Sequence, residues 1–287
     1  MKVKSISKYF GCLALLAAIV CLPSLNIKAQ VKAEKQNRQR ELCSDNNYSW
    51  GNKVSFNELR ETTLSAGNLL TVDGKRNGGI SVRGSNRSDV LVRACIQARG
   101  ATEEEARAIA RSVRIETNSV VRAEGTGDES NWAVSYEILV PRSTNLKLAT
   151  QNGGISINSV EGALDFEAQN GGVSLRDSGG DVKGKTMNGG VNVELSGGGW
   201  KGGGLDVQTT NGGVHLSLPE SYAAHIEAGT VNGGFQSEIG GLSIDRSGNR
   251  ARPSRISADL NGGGATVRVI TTNGGVKISS AGKFLNL

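Results

Sequence analysis

The 287-residue chain is poor in several residue types. It has 4 prolines, 4 cysteines, 2 histidines and 4% aromatic residues. Proline is too scarce for the 40 glycines to make a low-complexity chain. The glycines recur in pairs at long intervals, which excludes the every-third-residue pattern of collagen, and their spread leaves no heptad repeat for a coiled coil. His215 and His225 are too few to build a zinc site, and no Cys-x-x-Cys is present for thiol redox chemistry. No metal and no cofactor is expected.

Long apolar runs are also missing, apart from Phe10–Leu22, which is shorter than the ~20 residues a membrane-spanning helix needs. It follows the basic segment Met1–Lys8 and precedes Asn26-Ile27-Lys28-Ala29, with a small residue at the cut. Residues 1–29 therefore read as a signal peptide, with Gln30 as the first mature residue. Val20 stands where a lipoprotein signal wants a small residue before Cys21, so lipidation is not expected. Residues 30–41 read as a disordered polar leader. The expectation is an exported protein, periplasmic or extracellular, without a transmembrane segment in the mature chain.

The net charge of +6 is carried by residues 1–41, with eight basic and two acidic side chains; from residue 42 onward there are 25 of each. The neutral remainder has no electrostatic footprint for nucleic acid. Cys12 and Cys21 leave with the signal, while Cys43 and Cys95 remain. In an oxidising compartment the simplest expectation is one disulfide between them, which on the loop-entropy model contributes roughly 4 kcal/mol. Two separate thiols are the alternative.

What the chain has in quantity is one motif. Asn-Gly-Gly begins at Asn77, Asn152, Asn170, Asn188, Asn211, Asn232, Asn261 and Asn273. Three residues after the asparagine stand Ile80, Ile155, Val173, Val191, Val214, Phe235 and Val276; two further on come Val82, Ile157, Leu175, Val193, Leu216, Ser237 and Ile278. Polar residues, including His215, lie between these columns, so a strand with one buried face follows each motif. Upstream the alternation continues through Leu146, Leu164, Val182, Leu205, Ile226 and Val267, and two residues before the asparagine runs a column of threonines broken only by Ala168. Asn261 breaks the phase, with Ser257 and Asp259 at the inward places, and reads as part of an irregular insertion.

Asn-Gly between alternating strands is also a hairpin signal. A solenoid is favoured because the repeat is near-constant and the excess lengths fall between repeats. Asn and Gly suit its corners because both tolerate positive φ. A second argument is the outward column Lys147, Asp165, Lys183, Asp206, Glu227, Arg268, whose first four members alternate in sign, as stacked neighbours should. The fold class expected is all-β: a single-stranded parallel β-helix with Asn-Gly-Gly corners and one short capping helix. That helix spans about residues 102–113, with Thr102 and Glu105 forming a capping box. It lies in an N-terminal β-rich part, 42–145, continuous as one domain with the repeats of 146–287.

The Asn-Gly-Gly-[Ile/Val] strands, the segment Trp132–Pro141 and the run Leu216-Ser-Leu-Pro219 resemble a bacterial adhesin-like domain family of unknown function, related to the head GIN domain of auto-transporter adhesins. The resemblance covers roughly residues 60–280. It implies an exported β-helix with surface or adhesive roles, and a link in some relatives to envelope-stress sensing. It supplies no site residues.

Candidate binding residues come from the insertions. Trp200, in the glycine-rich Ser196–Gly204, offers an indole for stacking on sugar, or folds back over the solenoid edge. Arg246, Arg250, Arg252 and Arg255 make a local positive patch for an anionic polymer, or a solvated loop. A glycosidase requires two carboxylates facing one cleft; Asp165, Asp181 and Asp206 are the candidates, and the charge ladder accounts for Asp165 and Asp206. No Ser-His-Asp set with a local signature is evident. The function expected is therefore a non-catalytic adhesin-like binding or structural module, holding an envelope polysaccharide or surface protein. The alternatives are an envelope-stress accessory that binds a partner protein, and a carbohydrate-active β-helix enzyme.

Overall fold

Period-2 alternation along most of the chain builds strands with one face buried, and these form two ten-stranded sheets in a computed structural model that describes residues 43, 53–242 and 254–281. Strands are numbered in chain order. Sheet I holds β1 (Val54–Ser65), β3 (Ile80–Ser85), β4 (Asp89–Gly100), β7 (Trp132–Pro141), β9 (Ile155–Asn158), β11 (Val173–Arg176), β13 (Val191–Glu194), β15 (Val214–Leu218), β17 (Phe235–Ser237) and β20 (Val276–Ser280). Sheet II holds β2 (Leu69–Asp73), β5 (Arg114–Glu116), β6 (Val121–Glu124), β8 (Asn145–Thr150), β10 (Glu161–Ala168), β12 (Gly179–Asn188), β14 (Gly204–Asn211), β16 (Ala224–Asn232), β18 (Ser254–Leu260) and β19 (Thr266–Asn273). Seven times a strand of sheet II runs through Asn-Gly-Gly into a strand of sheet I, at Asn77, Asn152, Asn170, Asn188, Asn211, Asn232 and Asn273.

In the middle of the molecule each such pair stacks in parallel on the next. Leu146, Leu164, Val182 and Leu205 are in register, as are Ile155, Val173, Val191 and Val214. All eight are no more than 2% exposed. Side-chain volumes are matched between layers: Phe166 packs where Gly184 leaves room, and a Cβ on Gly184 would fall 1.9 Å from the Phe166 ring.

The ends differ from the expected single-stranded parallel coil. Four pairings are antiparallel: β1–β4, β4–β7, β5–β6 and β16–β18. Both sheets are thus mixed. Stacking order also departs from chain order. The pair β2–β3 lies between β6–β7 and β8–β9, and the pair β19–β20 lies between β14–β15 and β16–β17. At the latter end the outward charges give a reason. With β19 interposed, Arg268 stands between Asp206 and Glu227, so signs alternate over six rungs from Lys147 to Glu227. Direct stacking of β16 on β14 would set two carboxylates side by side.

The glycines of the motif serve a different purpose from the one expected. None of those at the seven crossings has positive φ; among the Asn-Gly-Gly copies only Asn261–Gly263 does. What excludes a side chain is the stacking itself: a Cβ on Gly171 would lie 1.9 Å from the carbonyl oxygen of Gly153, and one on Gly189 would lie 2.1 Å from that of Gly171. The asparagines form a continuous ladder, each Nδ2 donating to the Oδ1 of the neighbouring rung, from Asn152 onto Asn77 (3.2 Å) to Asn232 onto Asn273 (2.8 Å). The threonine column has a role too. Thr150, Thr186, Thr209, Thr230 and Thr271 are buried, and each Oγ1 donates at 2.6–2.8 Å to a glycine carbonyl of the adjacent crossing.

One helix, α1 (Glu103–Ser112), connects β4 of sheet I to β5 of sheet II and packs on β1 and β4 through Ala106 and Ala110. Thr102 caps it by accepting from the Glu105 amide, and the Glu105 carboxylate accepts from the Ala101 amide. Arg60 of β1 donates to the carbonyl oxygens of Ala110 and Val113, closing the last turn. Cys43 and Cys95 form a disulfide with a Cα–Cα distance of 5.4 Å, tying residue 43 to β4. Strand β1 carries no clear alternation and β6 is only four residues long; neither was expected from the sequence. The proposed signal peptide and leader, residues 1–41, lie outside the described residues.

Candidate functional site

Outward-facing residues of sheet II, next to the crossings, line a shallow groove of about 780 Å³. One of its columns lies one residue before the asparagines: Gln151, Gln169, Met187, Thr210 and Thr272. The other lies two residues earlier: Ala149, Glu167, Lys185, Gln208 and Ile270. The intervening threonines point inward, so the two columns stand side by side on one face. Lys75, Arg76 and Glu129 border one end.

The groove carries three acidic and three basic residues and so no net charge: Asp73, Glu129 and Glu167 against Lys75, Arg76 and Lys185. Two of the carboxylates are already engaged. Asp73 accepts from the Lys75 amide at 2.8 Å, and Glu167 pairs with Lys185 at 3.2 Å. Apart from Lys75, Arg76 and Glu129 at one end, what remains are amides, hydroxyls and a few apolar atoms, with Met187 half exposed at 50%. Such a surface offers hydrogen bonds in both directions and some dispersion contact, repeated at about 4.8 Å from rung to rung.

A family model, Toastrack DUF4097, matches residues 114–279, which take in the groove's central rungs and every crossing from Asn152 onward. The chain belongs to this family. That agrees with the resemblance to an adhesin-like domain of unknown function. No curated protein matches. Among solved structures, a candidate cell-adhesion protein from Clostridium sporogenes is 11% identical, with a TM-score of 0.41, over 78% of this chain and 100% of that one. Candidate adhesins from Bacteroides fragilis (11% identity, TM-score 0.31, 78% and 97% of the two chains) and Parabacteroides merdae (10%, 0.31, 77% and 95%) are also similar. At these scores the likenesses carry no argument about site or ligand.

The sequence-based candidates of this Toastrack protein fall elsewhere on it. Trp200 donates its indole N–H to the Gly180 carbonyl at 2.9 Å and packs, partly buried, against the core. Arg255 is exposed on β18, while Arg246, Arg250 and Arg252 lie outside the described residues. The three carboxylates considered for glycosidase chemistry are spread over separate ladder positions. Asp165 stands in register between Lys147 and Lys183, Asp206 accepts from Arg268 at 2.7 Å, and Asp181 accepts from the Gly203 amide at 2.7 Å.

The two histidines differ. His215 sits 2.9 Å from the Ser279 hydroxyl, and burial together with nearby Lys277 pushes its pKa down. His225 lies on the outward face of β16 among side chains of the antiparallel β18: its Nδ1 is 2.6 Å from Asp259 and its Nε2 is 3.0 Å from Ser257. Ser257 and Asp259, placed inward by the repeat phase, are in fact exposed; Ile256, Ala258 and Leu260 face in. The repeat phase does not hold on β18 because Asn261 is not at a crossing: it joins β18 to β19 within one sheet. A strand with polar residues at alternate places opposite a histidine was the signal available.

Neither the groove nor its polar character was evident from the sequence. Its columns are visible in the alignment of repeats, but only the two-sheet geometry places them on one open face. No helix among the described residues is long and apolar enough to cross a membrane.

Proposed function

We propose that this protein is an exported β-solenoid of the cell envelope, with Asn-Gly-Gly at its corners, and that its groove on sheet II holds an extended envelope polysaccharide. The observation that carries this reading is the neutral, amide- and hydroxyl-bearing groove crossing five rungs. A neutral glycan presents the same chemistry in return, hydroxyls along an extended chain. The work of the site is holding: its central carboxylate Glu167 is paired with Lys185, and no catalysis is assigned to the groove. On this reading residues 1–29 are a cleaved signal peptide, 30–41 a leader, and 42–287 one domain.

Affinity capture tests this. The purified protein is immobilised and exposed to the producing organism's envelope, separated into polysaccharide and protein fractions. The reading expects a polysaccharide to be retained, and retention to be lost in a Gln169→Glu, Met187→Glu double variant. Retention lost instead in Trp200→Ala or Arg255→Ala moves the site to those residues. Retention of a single protein supports the stress-accessory alternative. If nothing is retained, the binding reading fails and a passive structural role stands.

A further inference from the structure

Sequence reading found no nucleophile, yet the fold assembles one away from the groove. On the outward face of the β16–β18 pair, Asp259 is directly opposite His225 and Ser257 is directly opposite Glu227. The imidazole of His225 bridges the two β18 side chains: Nδ1 to Asp259 Oδ1 at 2.6 Å, Nε2 to Ser257 Oγ at 3.0 Å. An ionised carboxylate only accepts, so Nδ1 carries the hydrogen and, in the neutral ring, Nε2 is the acceptor. Ser257 must then donate its hydroxyl hydrogen to Nε2. Nucleophile, base and orienting carboxylate are thus held in the order and tautomer that serine acyl transfer needs.

The surroundings add two charges. Glu227 lies 3.7 Å from Nε2 and is itself held toward Arg268 at 3.5 Å, so an imidazolium formed at His225 faces two carboxylates. Arg255 is two residues before Ser257 on the same outward face, exposed, and without an ion-pair partner among the described residues.

We propose that Ser257, His225 and Asp259 form a second, catalytic site that hydrolyses O-acyl esters displayed on a large or soluble molecule. Ser257 Oγ adds to the ester carbonyl carbon as its proton passes to His225 Nε2. The oxyanion so formed faces Arg255. Collapse breaks the bond between the acyl carbon and the alcohol oxygen, and the departing alcohol takes the proton from His225. Water, deprotonated by the same imidazole, then releases the carboxylic acid and restores the serine. Asp259 holds the ring's tautomer throughout. This goes beyond the binding reading and stands apart from it, because none of these residues lines the groove.

The test uses the full-length protein with p-nitrophenyl acetate and with a fluorophosphonate, the labelled residue being mapped by mass spectrometry. The expected results are a fluorophosphonate adduct on Ser257 and ester turnover above that of free imidazole. Ser257→Ala and His225→Gln should lose activity on the order of 100-fold. Asp259→Asn should keep the fold, measured by thermal unfolding, and lose activity through the wrong tautomer. Turnover no faster than that of free imidazole at equal concentration overturns the proposal, as does a label that falls elsewhere or persists in Ser257→Ala. Should a variant fail to fold, the position of the label on the wild-type protein decides.

Discussion

The middle rungs and the two ends of this molecule are built from the same motif but obey different rules. From β8 to β15 the strands stack in the order in which they are made, always in parallel, each crossing one rung above the last. At both ends the order is interleaved, and antiparallel strands form three of the four sheet edges. The comparison separates two kinds of information. Apolar spacing and the Asn-Gly-Gly columns say that a segment is a rung. They do not say which rung it touches, because every rung presents nearly the same face. In the middle, short connections decide the neighbour. At the ruled-out contact near the C-terminal end, the outward charges decide it: Asp206 accepts Arg268 and not Glu227.

The largest effect that would sharpen this contrast lies in the middle. Phe166→Ala removes a fully buried ring beside Gly184, whose missing side chain cannot refill the space; a loss of about 3–5 kcal/mol is expected in chemical denaturation. Next comes the crossing. Gly171→Ala places a methyl against the Gly153 carbonyl and should destabilise by about 1–3 kcal/mol, although no positive φ is involved. An unchanged midpoint for Gly171→Ala would show that the stack yields easily at its corners.

The interleaved end is probed by Arg268→Glu, which sets three acidic side chains in a row, with Asp206 and Glu227 on either side. About 1 kcal/mol of stability should be lost, less at high salt because these groups are partly exposed, and Asp206→Arg added to it should restore part of the loss. Equal sensitivity to salt in wild type and variant would break the charge argument for the stacking order. The smallest effect is a gain. Ala168→Thr completes the threonine column opposite the Gly153 carbonyl and should stabilise by roughly 0.5–1 kcal/mol, seen as a higher Tm.

Much of this was legible in the residues. The inward columns, the strands around each crossing, the helix with its Thr102 cap and the Cys43–Cys95 disulfide are all where the sequence places them. Three things were hidden, each for a physical reason. The interleaving brings together residues far apart in the chain, such as Asp206 and Arg268, 62 residues apart, which no local pattern encodes. The use of glycine was misread because close backbone stacking and positive φ select the same residue. The Ser257–His225–Asp259 cluster escaped because Asn261 turns the chain back within one sheet, so the phase counted from it does not tell which side chains face out.

The interleaving has a consequence in time. Strands β19 and β20 are synthesised after β16, β17 and β18, yet they occupy the slot beneath them. A chain emerging from its N-terminal side can add rungs one by one as far as β15, but the next coil to appear belongs one place further out. Until Arg268 arrives, Asp206 and Glu227 repel one another across the vacant position, which holds the early coil off its wrong neighbour. The C-terminal coils therefore cannot reach their native neighbours in the order in which they are made: β16 and β17 have theirs only once β19 and β20 exist.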